Sequence, residues 1–373
     1  MNSYSILGAG PSGLSAAINL AKEGYHVDVY EKNNEVGARF NGDLQGLENW
    51  SEKEDVLLSL TRMNIETNFD FSPFTKLSLT DSKKYWNFSL DRPAFYLLKR
   101  GSMVGSLEQS LREQAMSLGV EIHFRKTIPK EKTNIIATGP IAGEISAIAK
   151  GIIFKTNINN TALAILNNNA AFKGYSYLLV TDGYGTLCTV VFDRFHHLKK
   201  CFIQTKKIFL DLLDLNIENP HECGGVGCFS NKNNFIIGKQ LYVGEAAGLQ
   251  DLLWGFGIIS SITSGFLAAK AIINDEDYDE LARRYFEKKL KSSMVNRYFW
   301  EKIGSYNYSW IVNRIQSADD PLKFLYSFHN YNIFQKLAYP FALRYLRNRY
   351  KKLRLSIKMI KIILLRTLIY SIV

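Results

Sequence analysis

A short apolar stretch, Tyr4-Ser5-Ile6-Leu7, runs directly into Gly8-Ala9-Gly10-Pro11-Ser12-Gly13, and no other feature of the chain restricts its fold as much. Glycines at this spacing say little alone; after a strand and opening a helix they carry a mechanism. Gly8 permits a tight turn, Gly10 lets a pyrophosphate approach the backbone, and Gly13 lets helix and strand pack closely. Leu14, Ala17, Ile18 and Ala21 keep helical spacing until Gly24, and His26 to Tyr30 form a second strand closing at Glu31. A parallel βαβ unit is predicted. Its helix N-terminus offers N–H groups and a positive dipole end to phosphates. Glu31 is placed to accept hydrogen bonds from ribose hydroxyls and disfavours a 2′-phosphate.

The remainder reads as further strands and helices. Residues 32–50 are a polar loop punctuated by Gly37, Gly42 and Gly46, and residues 51–99 carry short strand-like pieces such as Lys84 to Leu90. Ser106 to Leu118 is an amphipathic helix, followed by strands at Val120 to Phe124 and Asn134 to Thr138. From about 150 to 235, aromatic and β-branched residues alternate as in an antiparallel sheet. Leu241-Tyr242-Val243 is a buried strand running into Gly244-Glu245-Ala246-Ala247-Gly248; a helix from Ile258 to Asn274 follows, and the rest is helical. The expected fold is α/β: a discontinuous Rossmann-type domain with a parallel sheet (1–50, 100–149, 236–290), an antiparallel-sheet substrate domain (51–99, 150–235) and a helical C-terminal region (291–373).

At 373 residues, 46% hydrophobic and 22% charged, the chain suits two joined lobes with a core able to enclose a cofactor. Its net charge of +11 is local. From Pro321 onward there is no Asp or Glu, while Lys323, Lys336, Arg344, Arg347, Arg349, Lys351, Lys352, Arg354, Lys358, Lys361 and Arg366 supply eleven cations. The body is therefore neutral, which argues against a nucleic-acid partner and for an anionic surface that meets the tail. Cys188, Cys201, Cys223 and Cys228 lack the paired spacing of a zinc site, so no metal is expected, and they read as thiols of a reducing compartment. The first strand begins at once, so no signal peptide is expected and the reading is cytoplasmic.

The early motif does not separate FAD from NAD; the later ones do. Gly8 to Gly13, Glu31-Lys32, Arg100, Ala137-Thr138-Gly139, Gly244 to Gly248 and Gly255-Phe256-Gly257-Ile258 together make the chain resemble the geranylgeranyl reductase family, within the flavoprotein group that also holds aromatic hydroxylases. The resemblance covers most of residues 3–275. It implies FAD as cofactor, with Glu245 on the ribityl hydroxyls, Gly257 and Ile258 against the isoalloxazine ring, and Arg100 in contact with the cofactor. Asn41 and Gly42 match backbone positions that approach the flavin. Arg39 is left open between a phosphate and solvent. The chain departs from the family in having Glu245 where Asp is usual, and Asp251-Leu252-Leu253-Trp254 where a proline precedes the last glycines.

Lys173 to Leu179 resembles the family's aromatic substrate-lining strand without its Phe-Pro continuation. Alternation puts Tyr175, Tyr177 and Leu179 on one face, which either lines a pocket or packs in a core. Gly224-Gly225-Val226-Gly227 lacks strand-to-helix context and reads as a loop. With no second dinucleotide fingerprint, NAD(P)H would serve only as a transient donor. Around 351–368, Lys351, Arg354, Lys358 and Lys361 share one helical face opposite Leu353, Ile357, Ile360, Leu364 and Leu368, as in an interfacial helix on anionic lipid. The resemblance implies reduction of carbon–carbon double bonds in an isoprenoid or related apolar lipid. A flavin monooxygenase acting on an apolar substrate is the alternative, and a non-catalytic flavin-binding membrane protein a second one. No catalytic residue can be named from the sequence.

Overall fold

The computed structural model describes residues 3–140, 145–228, 234–304 and 308–370, with side chains as far as Lys351. Strand β1 (Ser3–Leu7), helix α1 (Pro11–Lys22) and strand β2 (His26–Glu31) form the expected parallel unit, with Ile6 opposite Val29. Next come β3 (Leu44–Glu48), α2 (Val56–Arg62), β4 (Phe71–Phe74), β5 (Lys76–Thr80), β6 (Tyr85–Ser89) and β7 (Phe95–Lys99). Then follow α3 (Leu107–Ser117), β8 (Glu121–Phe124), β9 (Ile135–Ile136), β10 (Ala147–Lys155), β11 (Thr161–Ile165), β12 (Tyr175–Thr181) and β13 (Tyr184–Val191). The chain continues through α4 (Leu198–Leu212), β14 (Glu218–Gly227), β15 (Ile236–Ile237), β16 (Gln240–Tyr242) and α5 (Ile258–Asn274). It finishes in α6 (Tyr278–Ile303), α7 (Ser309–Gln316), α8 (Pro321–His329) and α9 (Ile333–Tyr370).

The first sheet has the order β15-β16-β9-β1-β2-β8 and is parallel except at its β15 edge. From β1 the chain moves outward through β2 to β8, then returns to the other side of β1 for β9 and β16. That reversal opens a crevice at the carboxyl ends of β1 and β9, where α/β sheets bind ligands. Ile6, Val27, Val29, Ile135 and Ile136 are buried in this sheet, and Leu14, Ala17 and Ile18 of α1 join the same core with Ile262 and Ala269 of α5.

A second sheet, β14-β10-β13-β12-β11-β5-β6, is antiparallel except where β11 runs parallel to β5. One face is covered by α4, whose Ile208 and Phe209 pack with Phe154, Leu178 and Leu187. The opposite parity of residues is left for a cavity. A third sheet, β3-β7-β4, is antiparallel, so β3 pairs with β7 rather than with the parallel sheet, while Val56 and Leu60 of α2 join the parallel sheet's core.

Four local expectations change, the first being that β3 occupies residues 44–48 of the stretch expected as a polar loop, because its residues pair with β7. Gly224 to Gly227 is the end of strand β14, not a loop, with Gly225 opposite Ala149. Gly224 sits at φ 154°, where a Cβ would lie 2.4 Å from the Ala149 carbonyl oxygen, so the glycine permits close strand pairing while hiding the strand's pattern. Leu198 to Leu212 interrupts the expected all-strand region as an amphipathic helix on the sheet. The strand expected over Asn134 to Thr138 shortens to two residues.

The C-terminal helices are fastened by buried charge. Glu301 on α6 lies 2.8 Å from Arg297 Nε and 2.9 Å from Arg349 Nε on α9. Arg297 donates to the carbonyls of Leu253 and Lys173, and its guanidinium lies over the Phe192 ring; Arg349 donates to the Phe192 carbonyl. The tail expected as an amphipathic basic helix continues α9, but the side chains from residue 352 on lie outside the described residues. Among the described residues no helix is long and apolar enough to cross a membrane. Removing the central anion strands two buried cations, so Glu301→Gln should cost about 3 kcal/mol in urea unfolding. A loss near zero would show that the charges are solvated.

Candidate functional site

The crevice at β1 and β9 opens into a continuous cavity of about 930 Å³. Its first end is the glycine turn. Gly8 has φ 111°, and a Cβ there would sit 2.3 Å from the Ala137 carbonyl oxygen; one at Gly13 would sit 2.0 Å from the Gly8 carbonyl oxygen. Both glycines are thus required by packing. A Cβ at Gly10 would meet nothing within 4 Å, so its small size keeps space open. Gly10 caps α1 without a side chain, and Gly10, Pro11 and Ser12 line the cavity, so the uncapped helix end faces it.

Glu31 and Lys32 also line the cavity. Glu31 is buried and already holds the turn: Oε2 accepts from Ala9 N at 2.9 Å, and Oε1 accepts from Asn33 N and Nδ2 at 2.9 and 2.7 Å. Glu245, Gly257 and Ile258 lie in the wall as well. Arg39 lines the cavity too: its Nη1 pairs with Glu245 Oε2 at 2.7 Å and its Nη2 donates to the Val226 carbonyl at 3.2 Å. This pair joins the early loop to the late motif across the cavity.

Arg100 reaches the cavity edge, yet its guanidinium is committed to protein. Nε lies 2.8 Å from Glu108 Oε1 and Nη1 lies 2.6 Å from Gln45 Oε1, with the group over the Phe40 ring. Four expected residues fall outside the wall, and Gly13, which only packs α1 on the Gly8 turn, is the first of them. Asn41 is exposed, its N–H turned to the Asp43 carboxylate; Gly42, at φ 93°, donates to the Arg100 carbonyl and packs toward Met103. Gly244 is buried at φ 60° where a Cβ would be 2.7 Å from Ser12 Oγ, so it serves the packing of the β16 end against α1.

The other end of the cavity is apolar. Tyr175, Tyr177 and Leu179 do share a face, and all three line it with Leu77, Phe88, Trp254, Phe256 and Trp300. Helices α7 and α8 close this end through Ile311, Val312, Ile315, Leu322 and Leu325. Burial pushes both tyrosine hydroxyls well above their ordinary pKa and raises the Cys188 thiol to about 12. All three therefore stay protonated near neutrality. Tyr175 donates to the Trp254 carbonyl, while Tyr177 sits opposite Cys188 on the neighbouring strand.

Sequence reading named Asp251 only as a departure and missed how it shapes the loop before Gly255. Where a proline is usual, Asp251 Oδ2 accepts from Trp254 N at 2.7 Å and Asp251 N donates to the Phe256 carbonyl at 2.9 Å. Ser293 of α6 anchors the turn, donating to Asp251 Oδ1 at 2.5 Å and accepting from Leu252 N at 2.7 Å. The signal was available, since an Asp three residues before the amide it caps is a turn former. Cys188 was not legible, because only strand register places it opposite Tyr177. Among the described residues, Asp28, Glu121 and His123 form the one group able to hold a metal, their ligand atoms within 4.8 Å of one another. It lies outside the cavity wall, and His123 is fixed there by Asp28 at 2.6 Å and by stacking on Tyr30.

The βαβ unit, the switch-point crevice and the uncapped helix over an open glycine define a Rossmann-type domain with a dinucleotide-shaped groove. In line with this, residues 6–43 match the model of the NAD(P)-binding Rossmann-like domain. Comparison with curated proteins finds no match. Among solved structures, the chain is similar to a geranylgeranyl bacteriochlorophyll reductase-like protein from Thermoplasma acidophilum, with TM-score 0.62 and 17% identity over 93% of this chain and 99% of that one. It is also similar to a flavin-dependent brominase (TM-score 0.60, 13% identity, 94% and 100% covered). A third is a probable FAD-dependent monooxygenase from Pseudomonas aeruginosa (TM-score 0.59, 13% identity, 82% and 96% covered). At these identities the likeness is one of fold, and the fold is common to proteins named for three different chemistries.

Glu48, at the end of β3, is a further buried acid, with Oε2 lacking a partner. Burial, reinforced by the negative charge of Asp251, raises its pKa from 4.5 to about 8. The folded state then holds a proton that the unfolded state releases between those values, so stability falls as pH rises from about 4.5 through 8. Glu48→Gln removes this slope. The melting temperature of the wild type should drop relative to the variant between pH of about 5 and about 9. Parallel pH profiles for the two proteins would show that Glu48 is ionised in the fold.

Proposed function

We propose that this chain is an FAD-dependent oxidoreductase that reduces carbon–carbon double bonds of an isoprenoid or related lipid. The observation that carries the reading is a single cavity with a dinucleotide groove at one end and an aromatic, apolar chamber at the other. FAD fits the groove by the chemistry of its donors. The free α1 terminus and the space above Gly10 suit a pyrophosphate, Glu31 a ribose, and Glu245 a ribityl chain once Arg39 releases one oxygen. The bound flavin would supply the hydride, with NAD(P)H as transient electron donor.

The chain's own residues supply the rest. The uncapped N-terminus of α5 at Gly257 and Ile258 places a positive dipole end in the wall, where it stabilises negative charge on a reduced ring. The Asp251 turn holds Trp254 and Phe256 against the apolar chamber, which excludes water from a substrate that is a poor hydride acceptor. Tyr175 spends its proton on the Trp254 carbonyl and so positions that turn. Tyr177, in the wall opposite Cys188, does not spend its proton on that turn and is the better candidate donor to an alkene carbon. The monooxygenase alternative is favoured by one observation, the shared fold with a probable FAD-dependent monooxygenase.

The glycines separate ligand binding from folding. Gly10 has φ −83° and ψ 178°, which alanine adopts freely, so Gly10→Ala should lose bound flavin and keep the melting temperature of flavin-free wild type. Gly13→Ala should lose both. Flavin retained at wild-type level in Gly10→Ala would contradict the groove assignment. Tyr177→Phe should retain flavin and slow alkene reduction by about 10²-fold, measured as anaerobic single-turnover flavin reoxidation. An unchanged rate would move the proton donor elsewhere.

A further inference from the structure

The inward face of α9 is well satisfied. Gln335, Ala342, Leu346 and Arg349 are buried, with Gln335 Nε2 donating to Asn296 Oδ1 and to the Phe328 carbonyl, both at 2.7 Å. The outward face is mostly bare, with Phe334 stacked at its margin on Phe299 of α6. Ile333 is 78% exposed, Phe334 59%, Leu337 72% and Phe341 68%. Further along the same three- and four-residue spacing come Arg344, Arg347 and Lys351, all exposed. One stripe thus runs from apolar to cationic along a single helix.

Scattered exposed apolar residues need no explanation, but four clustered in the first turns of one helix form a patch that folded proteins normally cover. The cover has to tolerate cations beside it. From Pro321 onward the sequence holds no acidic residue, so nothing in this segment neutralises Arg344, Arg347 and Lys351. A bilayer interface with anionic headgroups meets both halves of the stripe, with apolar side chains below the headgroups and cations among them.

We infer that the outward stripe of α9 from Ile333 to Lys351 is a docking surface for an anionic membrane. It precedes the segment whose side chains lie beyond Lys351, so docking does not depend on that segment alone. The surface stands independently of the reaction proposed above. One consequence rests on that reading: α8, which walls the apolar chamber, abuts the first turn of α9 at Phe328, so docking brings the chamber close to lipid.

The test uses the full chain with phosphatidylcholine vesicles, with and without phosphatidylserine, in co-sedimentation. Wild type should bind the phosphatidylserine vesicles and lose binding at high salt. Combined Phe334→Ser, Leu337→Ser and Phe341→Ser should weaken binding at least tenfold, and combined Arg344→Gln, Arg347→Gln and Lys351→Gln should reduce the preference for phosphatidylserine at least tenfold. Each set replaces exposed side chains, and unchanged melting temperature and flavin content establish that the fold is intact and keep this test apart from the reaction. Wild-type binding by both variants would overturn the inference. So would a wild-type dimer that ignores vesicles and dissociates in the serine variant, since the stripe would then cover a second copy.

Discussion

The close approach of three backbone segments at one point governs the rest of the molecule. Gly8 leaves β1 in a conformation that side chains avoid, Gly13 brings α1 down onto it, and Ala137 at the end of β9 presses on both. A single Cβ at Gly8 or Gly13 would overlap neighbouring backbone, so α1 could not sit where it does. The position of α1 in turn fixes α5, which packs with it in the same core, and α5 carries Gly257 and Ile258 into the far wall of the cavity. Two uncapped helix ends therefore address one cavity because two glycines allow one contact.

The glycine turn, its helix and Glu31 were legible in sequence because local chemistry alone dictates them. The placement of Tyr175 and Tyr177 on one face was legible from alternation, but not what that face meets. What escaped was set by long-range register or by partners distant in sequence. Gly224 to Gly227 hides a strand because glycine carries no pattern, and its pairing with β10 appears only when the sheet is assembled. Arg39 meets Glu245 across 206 positions of chain, and Arg100 spends its charge on Glu108 and Gln45. The loop turns Asn41 to solvent and buries Gly42 against Met103, while Phe40 and Asp43, their neighbours, take the wall.

Where the chain departs from the family it resembles, the structure shows compensation. The missing proline is replaced by a hydrogen-bonded Asp251 turn tied to Ser293 on α6. The longer Glu245 finds Arg39. The Arg297–Glu301–Arg349 cluster also links α6 and α9 to Phe192, whose ring is in the cavity wall, so the C-terminal helices are structurally continuous with the chamber.

In the proposed reaction, electrons pass from a flavin in the groove to an alkene in the apolar chamber. The absorption spectrum of the purified protein, reduced with dithionite without oxygen and then mixed with a polyprenyl lipid, tests this transfer. The lipid should restore the oxidised flavin bands, and a saturated product should appear. A reduced flavin that ignores the lipid and reoxidises rapidly only when air is admitted would contradict it.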